Sequence, residues 1–160
     1  MLLIANAYFL DPATKREGYC DILTDGDRIV KMGENLYGEF VKRGEAAGTK
    51  DLQVIDALGL IAAPGLVDVH SHFRDPGFTH KEDIETGAMA AAKGGYTTVV
   101  LMANTRPAVD NEETLSYVLE KGKKTGIHIE TCATVTKGMK GKEMVDMECL
   151  CKKGAAGFTD

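Results

Sequence analysis

The chain has 160 residues, of which 44% are hydrophobic and 27% charged, a composition typical of a globular protein rather than a disordered or fibrous one. Its formal charge of -5 at pH 7 leaves no basic stripe for a phosphate backbone, which argues against nucleic acid as a partner. No apolar run approaches the ~20 residues that span a bilayer, and the first residues lack the basic start of a signal peptide, so we expect a cytoplasmic protein that does not associate with membranes.

The first sixty residues have the pattern of short β-strands. The segments "LLIANAYF" and "YCDILTDGDRIVKMG" alternate apolar and polar positions, and Asp25-Gly26 is a hairpin turn signal inside the second segment. Residues 34–52 are polar and interrupted by glycine, as in a surface loop. The sequence therefore predicts a small β domain over residues 1–64 with a loop near 34–52.

From residue 65 onward, short apolar runs alternate with helical segments. Leu115, Val118 and Leu119 share one face of a predicted helix, and a third helix is predicted over "KEMVDMECLCKKG", with Met144 and Met147 at helical spacing. This alternation predicts parallel βαβ units. The predicted strands are "LVDVHSHF", "YTTVVLMAN", "IHIETCATV" and the final "AAGFTD".

The length of this second segment limits the possible α/β folds. A complete (β/α)8 barrel takes about 250 residues, whereas residues 65–160 offer far fewer. The segment is either a small open α/β sheet or the first half, about four βα units, of a TIM-like barrel. A final strand without a helix to cover it favours the half-barrel over a finished sheet.

The four cysteines show no spacing typical of a zinc ribbon, and free thiols in a reducing compartment are the expected state. They are Cys20, Cys132, Cys149 and Cys151.

The motif "DVHSHFRDPG" at residues 68–77 carries the clearest chemical signal. Successive strand residues point to opposite faces, so His70 and His72 should point to the same side, roughly 6.5 to 7 Å apart. Two imidazoles placed in this way can bind one divalent metal ion. Arg74 has the same parity, and the Asp-Pro-Gly turn behind it ends the strand near the carboxyl edge, where α/β folds place their sites.

These residues resemble a known family. The segment "GLVDVHSHFRDPGFTHKEDIETGAMAAAKGGYTTVVLMANTRPAVDN", residues 65–111, is similar to the signature region of the bacterial class I dihydroorotases of the amidohydrolase superfamily. The resemblance implies that His70 and His72 bind zinc, with one or two ions in the complete enzyme. It also implies that Arg74 and Asn104 hold the carboxylate of the substrate. Ala103 stands where the family commonly has proline.

The last residue, Asp160, is a further metal-ligand candidate that the resemblance supplies. The superfamily bridges its metals with a carboxylated lysine or an aspartate at the end of the fourth strand, and this chain has "GFTD" there. Asp160 is either the bridging ligand or the residue just before it, and an ordinary loop residue is the alternative reading.

The activity that the resemblance implies is the reversible conversion of L-dihydroorotate into N-carbamoyl-L-aspartate in pyrimidine biosynthesis. The family's general-base aspartate and two more histidine ligands would lie beyond residue 160. We therefore expect an amino-terminal portion of such an enzyme, without a catalytic residue of its own and inactive alone.

Three alternatives remain open from the sequence. An allantoinase or a hydantoinase would use the same histidine pair, although Arg74 with Asn104 favours a substrate that carries a carboxylate. The chain could instead be a non-catalytic assembly module. The partners expected beside the small-molecule substrate are a second copy of the chain or aspartate transcarbamoylase.

Overall fold

The computed structural model describes residues 1–39 and 52–160, which fall into two compact units, Met1–Pro64 and Gly65–Asp160. Most of the surface loop expected over residues 34–52 lies outside the described residues. Within the described part of the chain, no helix is long and apolar enough to cross a membrane. All four cysteines are free, as the sequence predicted.

The first unit is built around one mixed β-sheet. Strand β1 pairs antiparallel with β2, which pairs antiparallel with β3, while β4 and β5 run parallel to β1. The hairpin predicted at Asp25-Gly26 is confirmed, since β2 ends at Asp25 and Gly26 takes the left-handed φ of 57°. The strands are β1 Leu2–Asp11, β2 Arg16–Asp25, β3 Arg28–Gly33, β4 Gln53–Asp56 and β5 Ile61–Ala62.

The second unit is a parallel sheet with the strand order β6-β7-β8-β9. Helices follow the first three strands, so the predicted α/β class is confirmed. The elements are β6 Leu66–Ser71, α1 Ile84–Lys93, β7 Tyr96–Leu101, α2 Glu112–Gly122, β8 His128–Ala133, a 3-10 turn at Lys137–Met139, α3 Met147–Lys152 and β9 Gly157–Phe158.

Short side chains define where the first two helices begin. Asp83 accepts a hydrogen bond from the Thr86 amide at 2.8 Å, and Asn111 accepts one from the Thr114 amide at 3.0 Å. Each cap satisfies an amide that the first helical turn leaves without a partner. The helices therefore start at fixed points and bury one face against the sheet.

The apolar face of α2 forms part of the core of this unit. Leu115 and Val118 are buried and Leu119 is partly buried, as the sequence predicted. The buried members of this core are Phe73, Ile84, Ala88, Val99, Leu101, Ala103, Val109, Leu115, Val118, Ile129, Ala133, Val145 and Leu150.

The prediction of a third helix over the whole of residues 142–154 is wrong in its first half, because α3 begins only at Met147. The chain before it pairs with the segment that follows β8: Met144 forms an antiparallel bridge with Thr136, and the Val145 amide donates to the Val135 carbonyl at 3.1 Å. Asp146 then caps the helix by accepting from the Cys149 amide. Met144 is accordingly exposed rather than on a helical core face.

Candidate functional site

The two histidines of the opening motif lie side by side at the carboxyl end of β6. His70 is the penultimate residue of the strand and His72 follows its last residue. Their ring centroids are 5.3 Å apart, with an angle of 65° between the ring planes. The His70 amide donates to the Asp68 carboxylate at 3.0 Å. The structure thus brings together the two imidazoles that the alternation of strand residues placed on one side.

Asn104, at the carboxyl end of the neighbouring strand β7, contacts the second histidine directly. The His72 Nδ1 and Asn104 Oδ1 atoms are 2.9 Å apart. A carbonyl oxygen only accepts, so this contact requires the His72 tautomer with its proton on Nδ1, and that tautomer leaves the lone pair on Nε2 available to a metal ion. The same contact leaves the amide hydrogens of Asn104 available to an acceptor.

Backbone hydrogen bonds hold the two strand-end loops together. The Met102 amide donates to the Ser71 carbonyl at 2.9 Å, and the Arg106 amide donates to the Pro76 carbonyl at 3.0 Å. At Gly77, with φ of 93°, a Cβ atom would lie 2.0 Å from the Arg106 carbonyl oxygen. Only glycine permits this close approach. The relative position of His72 and Asn104 is therefore set by the backbone.

Asp160 follows strand β9, and hydrogen bonds from the segment after β8 hold its carboxylate. Its Oδ1 atom accepts from the Val135 amide at 2.9 Å and from the Thr136 amide at 3.0 Å, and the Thr136 hydroxyl donates to Oδ2. These bonds, chiefly those from Thr136, hold the pKa of the Asp160 carboxyl below its ordinary value. The group is an oriented carboxylate near neutral pH.

A cavity of about 160 Å³ is lined by four of the five residues that the sequence analysis singled out, and only Arg74 is missing from its lining. Within the described residues, no cluster of three or more His, Cys, Asp or Glu side chains has a geometry that could hold a metal ion. The cavity is nevertheless lined by two imidazoles and one carboxylate. Its lining consists of His70, His72, Met102, Ala103, Asn104, Met139, Thr159 and Asp160.

Arg74 is not part of this lining. It is half-buried and has a left-handed φ of 62°, and its carbonyl accepts from the Phe78 amide at 2.9 Å. Phe73, the residue before it, packs into the core. Arg74 thus lies on the turn next to the histidine pair.

A buried carboxylate behind Arg74 escaped the sequence reasoning, which treated Asp75 only as part of a turn. Its side chain is fully buried, and it accepts from the Tyr117 hydroxyl at 2.9 Å and from Lys121 Nζ at 2.7 Å. The hydrogen bond to Asp75 raises the pKa of Lys121, and burial together with the same carboxylate raises the pKa of Tyr117. The available signal was that Tyr117 and Lys121 are four residues apart and share one helix face.

Thr136 was missed as well, although it follows the carboxyl end of β8, where strand-end reasoning would have directed attention. The His128 side chain is exposed on β8 and His80 is exposed in a loop, and neither lines the cavity.

The sequence is similar to known enzymes over its whole length. The Dihydro-orotase-like family matches residues 59–160. The dihydroorotase of Clostridium acetobutylicum is 52% identical over 160 residues, all of this chain and 35% of the relative. That of Streptococcus thermophilus is 51% identical with the same coverage, and that of Clostridioides difficile is 51% identical, with 36% of its length covered. The chain thus spans about a third of the length of these relatives.

Two solved structures of longer chains contain a part with the same fold as this chain. An L-hydantoinase (dihydropyrimidinase) from Arthrobacter aurescens matches 98% of this chain and 32% of its own, with a TM-score of 0.73 and 20% identity. A variant atrazine chlorohydrolase from Arthrobacter aurescens TC1, complexed with zinc and atraton, matches 95% of this chain and 41% of its own, with a TM-score of 0.62 and 20% identity. Their likeness confirms the predicted half of a TIM-like barrel preceded by β-strands.

Proposed function

Since the chain belongs to the Dihydro-orotase-like family, we propose that it supplies the metal-binding and substrate-carboxylate side of a dihydroorotase site. The reaction is the reversible hydrolysis of the cyclic amide of L-dihydroorotate to N-carbamoyl-L-aspartate. The observation that carries this proposal is the contact between His72 and Asn104, which links the histidine pair to the carboxylate anchor inside one cavity.

The donor set fits a zinc ion in part. His70 and His72 would supply two neutral imidazoles, and Asp160 would supply a carboxylate as the third or bridging ligand. The chemistry that zinc supplies when bound is Lewis acidity, which polarises a carbonyl group and makes hydroxide available near neutral pH. The His72–Asn104 contact fixes the ring orientation of one ligand, and the bonds from Thr136 fix the carboxylate of another. The binding of one or two zinc ions in the complete enzyme stays a prediction.

The substrate carboxylate would be held from two sides. The amide group of Asn104 donates hydrogen bonds, because its carbonyl oxygen is already engaged by His72. The guanidinium of Arg74 offers two parallel N–H groups, which match the two oxygens of a carboxylate. Together they would orient the substrate with its ring carbonyl toward the histidine pair.

Residues 1–160 supply at most three ligands in this assignment, and we assign no general base among them. We therefore expect the chain alone to bind zinc weakly and not to turn over dihydroorotate. Pairing with a second copy or with aspartate transcarbamoylase stays a prediction. The likeness to the hydantoinase, at 20% identity, concerns the fold and does not favour its substrate.

The metal assignment is tested by calorimetric titration of zinc into the 160-residue chain. We expect His70→Ala and His72→Ala each to weaken binding at least tenfold, since each removes one of few ligands. His128→Ala is the matched control, because that histidine lies outside the cavity lining. Equal zinc binding by all four proteins would refute the assignment.

The substrate assignment is tested in a full-length enzyme, in which this chain replaces the matching segment of the Clostridium acetobutylicum dihydroorotase. We expect turnover of dihydroorotate, and a loss of kcat/KM of at least a hundredfold for Arg74→Ala, because a bidentate charged contact is removed. The Arg106→Ala variant removes a neighbouring exposed arginine and should keep its efficiency. A well-folded chimera without turnover would refute the proposed function.

A further inference from the structure

We propose that Lys121 and Tyr117 sequester the Asp75 carboxylate and thereby keep the guanidinium of Arg74 available for an anionic group of the ligand. This makes Lys121 a positioning residue that acts through Asp75. The inference rests on the proposed function, in which Arg74 binds the substrate carboxylate.

Both oxygens of Asp75 are occupied by groups outside its own turn. Oδ1 accepts from the Tyr117 hydroxyl at 2.9 Å, and Oδ2 accepts from Lys121 Nζ at 2.7 Å and from the Ile84 amide at 3.3 Å. The Asp75 side chain has no exposed surface, whereas that of Lys121 is 25% exposed. The first turn of α1 and the last part of α2 therefore hold this carboxylate from two directions.

Arg74 is the chain neighbour of this carboxylate and carries the opposite charge. Within the described residues, no hydrogen bond or ion pair engages its guanidinium. A charged bond between arginine and a carboxylate is among the strongest polar contacts in proteins. An unpaired Asp75 would therefore be a natural partner for Arg74, and such a pair would compete with any carboxylate ligand.

The ion pair with Lys121 removes this competitor. A buried carboxylate that loses its cation must find another or take up a proton. With Lys121 replaced by methionine, the nearest cation along the chain is Arg74, and drawing it toward Asp75 withdraws it from the ligand. With Asp75 also replaced by asparagine, no charge remains to attract Arg74.

The first test uses the 160-residue chain and phenylglyoxal, a reagent specific for arginine, with peptide mass spectrometry as the readout. We expect Lys121→Met to slow the modification of Arg74 at least fivefold relative to exposed Arg28, which serves as the internal reference. The Asp75→Asn, Lys121→Met double variant should restore the rate to within twofold of the parent. An unchanged rate in Lys121→Met, or a faster rate in both variants, would overturn the proposal.

The second test uses the chimeric full-length enzyme. Lys121→Met should raise KM for dihydroorotate at least tenfold with a smaller change in kcat, and the double variant should recover most of the loss in KM. A purely structural role would instead lower the thermal midpoint and leave KM unchanged, which would also overturn the proposal.

The two tests separate this proposal from the proposed function. If the phenylglyoxal pattern holds and the folded parent chimera does not turn over dihydroorotate, the sequestration of Asp75 stands and the dihydroorotase assignment falls. If the chimera is active and the reactivity of Arg74 does not depend on Lys121, the dihydroorotase assignment stands and the sequestration of Asp75 falls.

Discussion

Replacing Gly87 by alanine should destabilise the second unit through a side chain that lies between two site residues. Gly87 is a buried residue in the middle of α1. A Cβ atom there would lie 2.6 Å from Cγ of the Phe73 ring and 2.7 and 2.8 Å from its two Cδ atoms. Phe73 is in the core and is flanked in sequence by His72 and Arg74, so a displaced ring would disturb the packing next to two site residues.

Two opposing effects determine how much Gly87→Ala changes the free energy of unfolding. Alanine in place of glycine inside a helix contributes about 0.5–1 kcal/mol of stability. Forcing an extra methyl group into a packed core costs about 1–3 kcal/mol. The three contacts below 3.0 Å place Gly87→Ala toward the upper part of that range, so we expect a net loss of about 1–2 kcal/mol in the free energy of unfolding. For a unit of this size, each kcal/mol lowers the thermal midpoint by about 4–8 °C.

The assay is urea and thermal unfolding of the 160-residue chain, followed by circular dichroism. Gly126→Ala is the control, because no atom lies within 4 Å of a Cβ built there. It should change stability by less than about 0.5 kcal/mol. Phe73→Leu combined with Gly87→Ala should recover part of the loss, since the smaller side chain yields space. A Gly87→Ala chain as stable as the parent would show that the ring and the helix do not pack as described.

Three further changes test the electrostatics and the core of the same unit. The Cys149 thiol donates to the Glu112 carboxylate at 2.9 Å, which raises the pKa of the thiol, so Glu112→Gln should lower that pKa and speed alkylation of Cys149 at pH 8; an unchanged alkylation rate would contradict this cause. Thr136→Val removes a donor to Asp160, so the carboxyl pKa, now held low, should rise toward its ordinary value in an NMR titration. A carboxyl group whose pKa is lowered by folding stabilises the fold above its unfolded-state pKa near 3.8, and this stabilisation is lost as the pH falls through the folded-state pKa. The stability of the parent should therefore decrease more on acidification than that of the Thr136→Val variant. Leu115→Ala, at a fully buried position, should cost about 2–5 kcal/mol in urea unfolding, and a loss below 1 kcal/mol would argue against the packing of α2.

The sequence predicted most of the fold because its signals are local. Alternation in "YCDILTDGDRIVKMG" and the Asp25-Gly26 dipeptide specify a hairpin within a few residues, and the apolar spacing of Leu115, Val118 and Leu119 specifies the buried face of a helix. The first half of the third predicted helix was wrong for the opposite reason. Met144 has helical spacing to Met147, yet its backbone pairs with Thr136, which is eight residues away and outside any local pattern.

The candidate site likewise contains residues that local patterns predicted and residues that depend on contacts distant in sequence. Strand alternation was enough to place His70 and His72 on one side, whereas Asn104 was selected by the resemblance to the family and not by a local pattern. The contacts of Asp75 could not be read from the motif, because its partners Tyr117 and Lys121 are more than forty residues away and resemble a solvated helix face. Only the packing of α2 against the turn reveals them.

The candidate site is shaped entirely by the parallel sheet of the second unit. Among the residues that the structure describes, all those that line the cavity lie beyond residue 65, at or after the carboxyl end of a strand. Backbone hydrogen bonds from Met102 and Arg106 join the loops after β6 and β7. The backbone of Gly77 also packs closely against the Arg106 carbonyl, which restricts the movement of one loop relative to the other. Because His72 and Asn104 belong to these two loops, their contact follows from the register of β6 on β7. We therefore expect the distance between His72, the proposed metal ligand, and Asn104, the proposed carboxylate anchor, to be set by the backbone at this edge of the sheet.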